Sequence, residues 1–417
     1  EAKTAGEKVT VYSIGDSLVQ TYKAKEAPQT GWGQTLSLYF NDNVIFDNRA
    51  IGGRSTGNFM RQGRLNEVLC DIRPGDVVLI EFGHNDSNSS NADRFVSTRD
   101  FGYNLEDVYI KGIKDRGGIP VLVTLCNRNQ CGPKGEMTQS YGNYVDATIK
   151  TAEATNTLLI DLNAWTLKTF EALNFELGVG TTSDIIYNHA IAGAYEGNYS
   201  GGVSDNTHLQ YYGAKLVSGY ISEQLKAMNI PGVSEHYVPL TATDIPAVPT
   251  GIEEKKDEKY LSRIKWTASE NADYYKVMIA ELTQVPTECA TQPVYALAGE
   301  FELAGYTTIP DFAHVYAKEG RHYAYKITAI NAAGESAESV IFSSGLLTET
   351  GESIIPESET TTEAETTTAE PTPGPLDTPA GMFKILFFAT LPFTIGILFG
   401  VIALLLKSLK NRKKKNS

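Results

Sequence analysis

The chain has 417 residues, of which 41% are hydrophobic, 10% aromatic and 21% charged. This is the composition of folded protein, and the length exceeds what one ordinary core takes up, so two or three domains are expected. The net charge is −14, and because 384–417 hold seven Lys and Arg with no Asp or Glu, the residues before them sum to −21; so acidic a surface excludes nucleic acid and anionic membrane as partners, and an anionic polymer would have to be held by local contacts.

Residues 1–235 read as an α/β domain. Apolar strand candidates at 9–14, 44–46, 77–82, 121–125 and 158–162 are separated by helical stretches. A closing helix over 210–228 carries apolar Leu216, Tyr220, Ile221 and Leu225. Strands alternating with helices predict βαβ units around a parallel sheet. In such sheets, sites form beyond the carboxyl ends of the strands. The stretches 87–104 and 174–203 read as polar loops that would shape specificity. Tyr187, Tyr195, Tyr199 and Tyr211 crowd the second, where they either stack on a sugar or pack the loop. The four cysteines, Cys70, Cys126, Cys131 and Cys289, are too few for a disulfide framework and match no zinc spacing. Cys126 and Cys131 are near enough in sequence to pair, or to stay as small apolar residues.

The first strand runs into Gly15-Asp16-Ser17-Leu18. A serine just past a buried strand and opening a helix is placed to act as a nucleophile, with its own N–H free to donate; alone, it reads equally as a helix N-cap. After the second strand come Gly52, Gly53 and Arg54. Paired glycines make a turn, but they also let a backbone N–H approach a substrate oxygen, as an oxyanion hole requires. The third strand ends in Gly83-His84-Asn85-Asp86, where Asn85 offers an amide donor or an Asx turn. Just before the last helix stand Asp205 and His208, three residues apart. There a carboxylate can hold one imidazole nitrogen while the other takes a serine proton.

In this order and at strand ends, the four segments resemble the blocks of the GDSL/SGNH hydrolases over residues 1–235. That resemblance implies a flavodoxin-like three-layer sandwich with a parallel sheet, and no metal or cofactor. It also implies roles: Ser17, Asp205 and His208 as the catalytic triad, with Ser17, Gly53 and Asn85 as the oxyanion hole and Gly52 as a weaker substitute for Gly53. Gly31-Trp32-Gly33, Gly52-Gly53-Arg54-Ser55, 81–86 and the Asp-x-Thr-His form of the last block are most similar to rhamnogalacturonan acetylesterases, carbohydrate esterase family 12. The implied reaction is removal of O-acetyl groups from pectic rhamnogalacturonan, with Arg54 as a contact for a galacturonate carboxylate. Esterases of the same fold acting on acetylated xylan, other glycans or lipid, a surface acetyltransferase and a non-catalytic adhesin are the alternatives.

Residues 240–346 change character: short alternating runs, such as 261–266, 274–279 and 323–331, are separated by turns without a helical period. With Trp266 and Tyr323 they resemble a fibronectin type III domain, in which Trp266 would fill the core and Tyr323 would form the tyrosine corner. A spacer role is the simpler expectation, carbohydrate binding the other. Residues 347–381, rich in Thr, Glu and Pro, read as an extended stalk. Residues 385–406 carry no charge and are long enough to span a bilayer, and 407–417 are basic, which places the C-terminus in the cytoplasm. A single-pass cell-membrane protein with an extracellular catalytic domain is therefore expected, and because the chain begins Glu1-Ala2-Lys3, its export signal is expected to have been removed.

Overall fold

In the computed structural model, residues 7–343 and 346–348 are described, except 256, 258 and 287–292. The membrane span 385–406, the tail 407–417, nearly all of the stalk and Cys289 lie outside the described residues. No helix among the described residues is long and apolar enough to cross a membrane.

Five strands, β1 (Val9–Gly15), β2 (Val44–Asn48), β3 (Val77–Glu81), β4 (Ile119–Val123) and β5 (Leu158–Ile160), form one sheet in the order β2-β1-β3-β4-β5. Every neighbouring pair is parallel. Their near-continuous Val, Ile and Leu runs are what a sheet covered on both faces demands. Alternation then sorts the side chains. Val77, Leu79, Val121 and Val123 enter one core with Trp32, Phe170, Val217, Ile221 and Leu225. Val78, Ile80 and Leu122 enter the other with Phe59, Leu65, Phe101, Tyr109 and Val145. The domain is thus the expected three-layer α/β/α sandwich. Because β1 is followed by β2 on one side and β3 on the other, the loops leaving β1 and β3 diverge and open a crevice at their carboxyl ends.

Two expectations about loops need correction. Residues 87–104 are not loop throughout: a helix begins at Thr98 (Thr98–Tyr103), its N-cap Ser97 accepting from Asp100 N–H, and continues through a π-helical stretch, Asn104–Ile110. Phe101, Leu105, Tyr109 and Ile113, four apart, form its buried stripe. Residues 174–203 likewise hold the end of helix Leu162–Leu177, the short helix Thr181–Ile185 and β6 (Tyr187–Ala190), which pairs antiparallel with β7 (Val203–Leu209). The closing helix runs Tyr211–Ala227.

Beyond it the chain is sheet-rich: β8 (Thr250–Glu254), β9 (Arg263–Thr267), β10 (Tyr274–Val285), β11 (Val294–Leu297), β12 (Glu302–Thr307), β13 (Asp311–Ala313) and β14 (His322–Asn331). The sheet β13-β9-β8 and the antiparallel partners β14, β10 and β12 enclose Trp266, Tyr275, Val277, Tyr325 and Ile327. The Tyr323 hydroxyl accepts from the N–H of Lys318, five residues upstream. A simple spacer would stand apart, but this region packs on the α/β domain. Tyr274, Tyr306 and Ile330 share the core that holds Val217 and Leu225, and the Tyr212 and Tyr274 rings lie 5.2 Å apart. Val294, Tyr295 and Ala296 of β11 run parallel with residues 346–348.

Candidate active site

β1 ends where it must pass close to β3: a side chain at Gly15 would meet the Glu81 carbonyl at 2.5 Å. The chain then folds into a tight turn in which Val19 and Gln20 N–H donate to the Asp16 carbonyl at 3.3 and 3.1 Å. Ser17 therefore sits on a turn and not at the start of a helix, because Asp16 binds the turn internally: its Oδ1 accepts from Leu18 N–H at 3.0 Å. No helix begins at Ser17. Its carbonyl accepts from the Tyr22 hydroxyl at 2.8 Å.

Asp205 and His208 come from β7, whose register explains their placement. Tyr187 faces Leu209 while His189 faces Ser204, so a short step on β6 spans a longer one on β7 and residues 205–208 bulge out. Asp205 and His208 are thus carried by a braced hairpin. His208 Nε2 lies 2.9 Å from Ser17 Oγ, and His208 Nδ1 lies 2.6 Å from Asp205 Oδ2. The other carboxylate oxygen accepts from Thr207 and His208 N–H at 2.7 and 3.3 Å. Partial burial would raise the Asp205 carboxyl, but the hydrogen bond and charge of His208, with those N–H donors, outweigh it and hold the group below its usual range. An ionised acceptor on Nδ1 leaves Nε2 as the lone pair facing the serine proton.

The three donors expected for a substrate oxygen differ in what else they bind. Among the described residues, neither the Ser17 nor the Gly53 N–H has a partner within the protein. Gly53 adopts φ +77°, a conformation that costs other residues, so the loop can aim its N–H only with glycine there. Gly52 is different: its N–H donates to Gln20 Oε1, which removes it as a donor to substrate. Asn85 Nδ2 donates to Asp16 Oδ2 at 3.1 Å, leaving its second proton. Arg54 is engaged with the same loop, Nη1 donating to the Gly52 carbonyl at 2.7 Å and Nε to Gln62 at 3.1 Å.

Supporting residues that sequence patterns did not reveal lie beneath. Asp86 accepts from Thr56 N–H at 2.9 Å and Thr56 Oγ1 at 2.5 Å, tying the end of β3 to the loop after β2; burial pushes its carboxyl up to about 7. Buried Glu81, also pushed by desolvation to about 7, accepts from the Trp32 indole N–H and from Cys126 N–H. Burial opposes the charged form of His84, yet the nearby Asp16 and Glu81 leave its pKa raised. Arg94 was also unforeseen. Its Nη1 donates to Asn85 Oδ1 at 3.3 Å, and its guanidinium lies within 3.1 Å of where a Gly53 side chain would begin. The stretch 87–104 holds two arginines, Arg94 and Arg99, and nothing in the local pattern distinguishes the one that reaches Asn85.

The tyrosines divide. Tyr187 is core, donating to the Asn127 carbonyl, while Tyr199 donates to Gln29 Oε1, Tyr195 is half-buried and Tyr211 exposed. Cys126 and Cys131 are both free thiols. Among the described residues, no group of His, Cys, Asp and Glu is arranged to hold a metal ion.

A family model described as the GDSL-like lipase/acylhydrolase family matches residues 13–213. The chain is 31% identical to rhamnogalacturonan acetylesterase RhgT of Bacillus subtilis over 230 residues, 55% of this chain and 94% of that protein. It is 28% identical to a rhamnogalacturonan acetylesterase of Emericella nidulans over 256 residues, 56% of this chain and 90% of that one. The crystal structure of the Bacillus subtilis protein YxiM is 27% identical, with a TM-score of 0.45, covering 54% of this chain and 58% of that one.

Proposed function

We propose that this chain, which belongs to the GDSL-like lipase/acylhydrolase family and is a carboxylic ester hydrolase, removes O-acetyl groups from pectic rhamnogalacturonan at a cell surface. The observation that carries the chemistry is the unbroken relay Ser17 Oγ–His208 Nε2–His208 Nδ1–Asp205. Ser17 attacks the acetyl carbonyl while His208 takes its proton, and Asp205 holds the imidazole in the required tautomer and stabilises the imidazolium. The tetrahedral oxyanion lies against the N–H groups of Ser17 and Gly53 and the amide of Asn85. Collapse, with His208 returning the proton to the sugar oxygen, releases the sugar hydroxyl and leaves an acetyl-Ser17. Water activated by His208 then frees acetate. The substrate assignment is supported by relatives that carry that activity in their names and match over nearly their full length. The surface location rests on the uncharged run 385–406 and the basic residues after it.

Acetate release by the full chain, as wild type and as Ser17→Ala, on acetylated rhamnogalacturonan, acetylated xylan and a short-chain aryl acetate tests this. Ser17-dependent release fastest on rhamnogalacturonan is expected. Release on xylan or the aryl ester alone would keep the mechanism and discard the pectic substrate. Transfer of acetyl to an added sugar in place of hydrolysis would move the assignment to a transferase.

A further inference from the structure

Arg94 stands out because its charge is unspent. It forms no ion pair with a described carboxylate, and one guanidinium nitrogen makes its single side-chain hydrogen bond, to Asn85 Oδ1 at 3.3 Å. Its neighbour Asp93 pairs with Arg61 instead, at 3.0 Å. Arg54 and Arg64 also form no ion pair with a described carboxylate, and after burial it is the charges of Arg64 and Arg94 that lower the Arg54 pKa, with Asp93 opposing them more weakly. Three arginines without an ion pair among the described residues thus gather around the loop after β2, Arg54 and Arg64 on Gln62 and Arg94 on Asn85, in a chain whose residues before 384 sum to −21. Three like charges facing one carboxylate, Asp93, that is already paired with Arg61 cost stability, so their presence beside a substrate cleft points to an anion supplied from outside.

The next residue in the chain extends the site. Phe95 is 44% exposed and lines a groove of about 370 Å³ with Ser87, Ser97, Thr98, Tyr141 and Asn143. Its walls are aromatic faces and short hydroxyls. Sugar rings offer the complement, an apolar C–H face ringed by hydroxyl donors and acceptors. Ser87 is two residues from Asn85 and Phe95 follows Arg94, so the groove is built on the chain segments that carry both. We propose that Arg94 and this groove form a subsite for an acidic sugar: the guanidinium takes the carboxylate of a uronate residue, and the neighbouring ring lies against Phe95. Arg94 then positions the acetylated sugar and simultaneously orients the Asn85 amide. The inference rests on the esterase reading above and names how the substrate's charge is read.

The test compares an acetylated, uronate-containing oligosaccharide with the same oligosaccharide methyl-esterified at its carboxyls, using the full chain as wild type, Arg94→Gln and Arg94→Lys. Because Arg94 also supports Asn85, turnover of every ester should drop in Arg94→Gln; the informative quantity is the kcat/KM ratio of acid to methyl ester. A charged hydrogen bond contributes about 1.5–3 kcal/mol, so that ratio should fall roughly 10- to 100-fold in Arg94→Gln and recover in part in Arg94→Lys. A ratio unchanged in Arg94→Gln would overturn the subsite and leave Arg94 as support for Asn85 alone. Wild type that turns over both without preferring the acid would also overturn it, whereas wild type inactive on every ester would bring down the esterase reading itself.

Discussion

Replacing Asn85 by alanine isolates one proposed oxyanion donor whose surroundings are well defined. The amide sits between Asp16 Oδ2, to which it donates at 3.1 Å, and Arg94 Nη1, from which it accepts at 3.3 Å, and it is almost fully buried. Truncation removes both bonds and leaves the buried Asp16 carboxylate with Leu18 N–H at 3.0 Å and the His84 ring at 3.6 Å. Two lost hydrogen bonds of about 1 kcal/mol each predict a stability loss of about 1–3 kcal/mol, short of unfolding an ordinary domain. The catalytic loss is separate. A donor aimed at the developing oxyanion is worth about 100- to 1,000-fold in kcat, or about 2.7–4 kcal/mol. KM should change little, because the ground-state carbonyl carries less charge than the tetrahedral oxyanion. The assay is steady-state turnover of an aryl acetate by the full chain, with thermal unfolding of the same samples to separate folding from chemistry. A kcat within threefold of wild type in a folded variant would refute the placement of Asn85 in the oxyanion hole. A loss carried mainly by KM would make it a binding residue instead.

Two further outcomes follow from the carboxylates. Asp205→Asn preserves the size of the group but presents an amide to His208 Nδ1; kcat should fall by roughly three to four orders of magnitude with KM little changed, and a loss below tenfold in steady-state assays would dismiss Asp205 from the relay. Half-buried Asp184 accepts from the backbone N–H of Tyr306, and desolvation pushes its carboxyl from 3.8 up to about 7. Its ionisation is therefore easier in the unfolded chain. Stability should decline as pH rises from about 4 towards 7, with a penalty on the order of 4 kcal/mol above that range. Asp184→Asn should unfold at a higher temperature than wild type at pH 8 and gain less at pH 5; parallel melting profiles across that interval would show that Asp184 does not carry the effect.

Much of the α/β domain was legible because its determinants are local. Runs such as 77–80 and 121–123 are apolar at every position, which a strand buried on both faces uses, and the closing helix announced itself by Leu216, Tyr220 and Ile221. Other local signals were weaker. The helix from Thr98 opens with Arg99, Asp100 and Gly102, so its buried stripe at 101, 105, 109 and 113 was masked by a polar start. The strand β7 carries Ser204, Asp205, Asn206 and Thr207, residues typical of turns, and forms because β6 pairs with it.

By itself the sequence determined which residue types stand at the strand ends, and in what order: Ser17, then Gly52 and Gly53, then Asn85, then Asp205 and His208. What each of them touches was decided only by the tertiary structure. Gln20 occupies Gly52 and leaves Gly53 open; Arg54 holds the loop while Arg94 reaches the donors; and the imidazole that meets Ser17 comes from 191 residues away. The physical reason is range. Strand and helix periodicity express steric and solvation preferences among near neighbours, whereas a hydrogen bond needs two atoms within about 3 Å whatever their separation along the chain, so its partner is chosen by the packing of the whole fold.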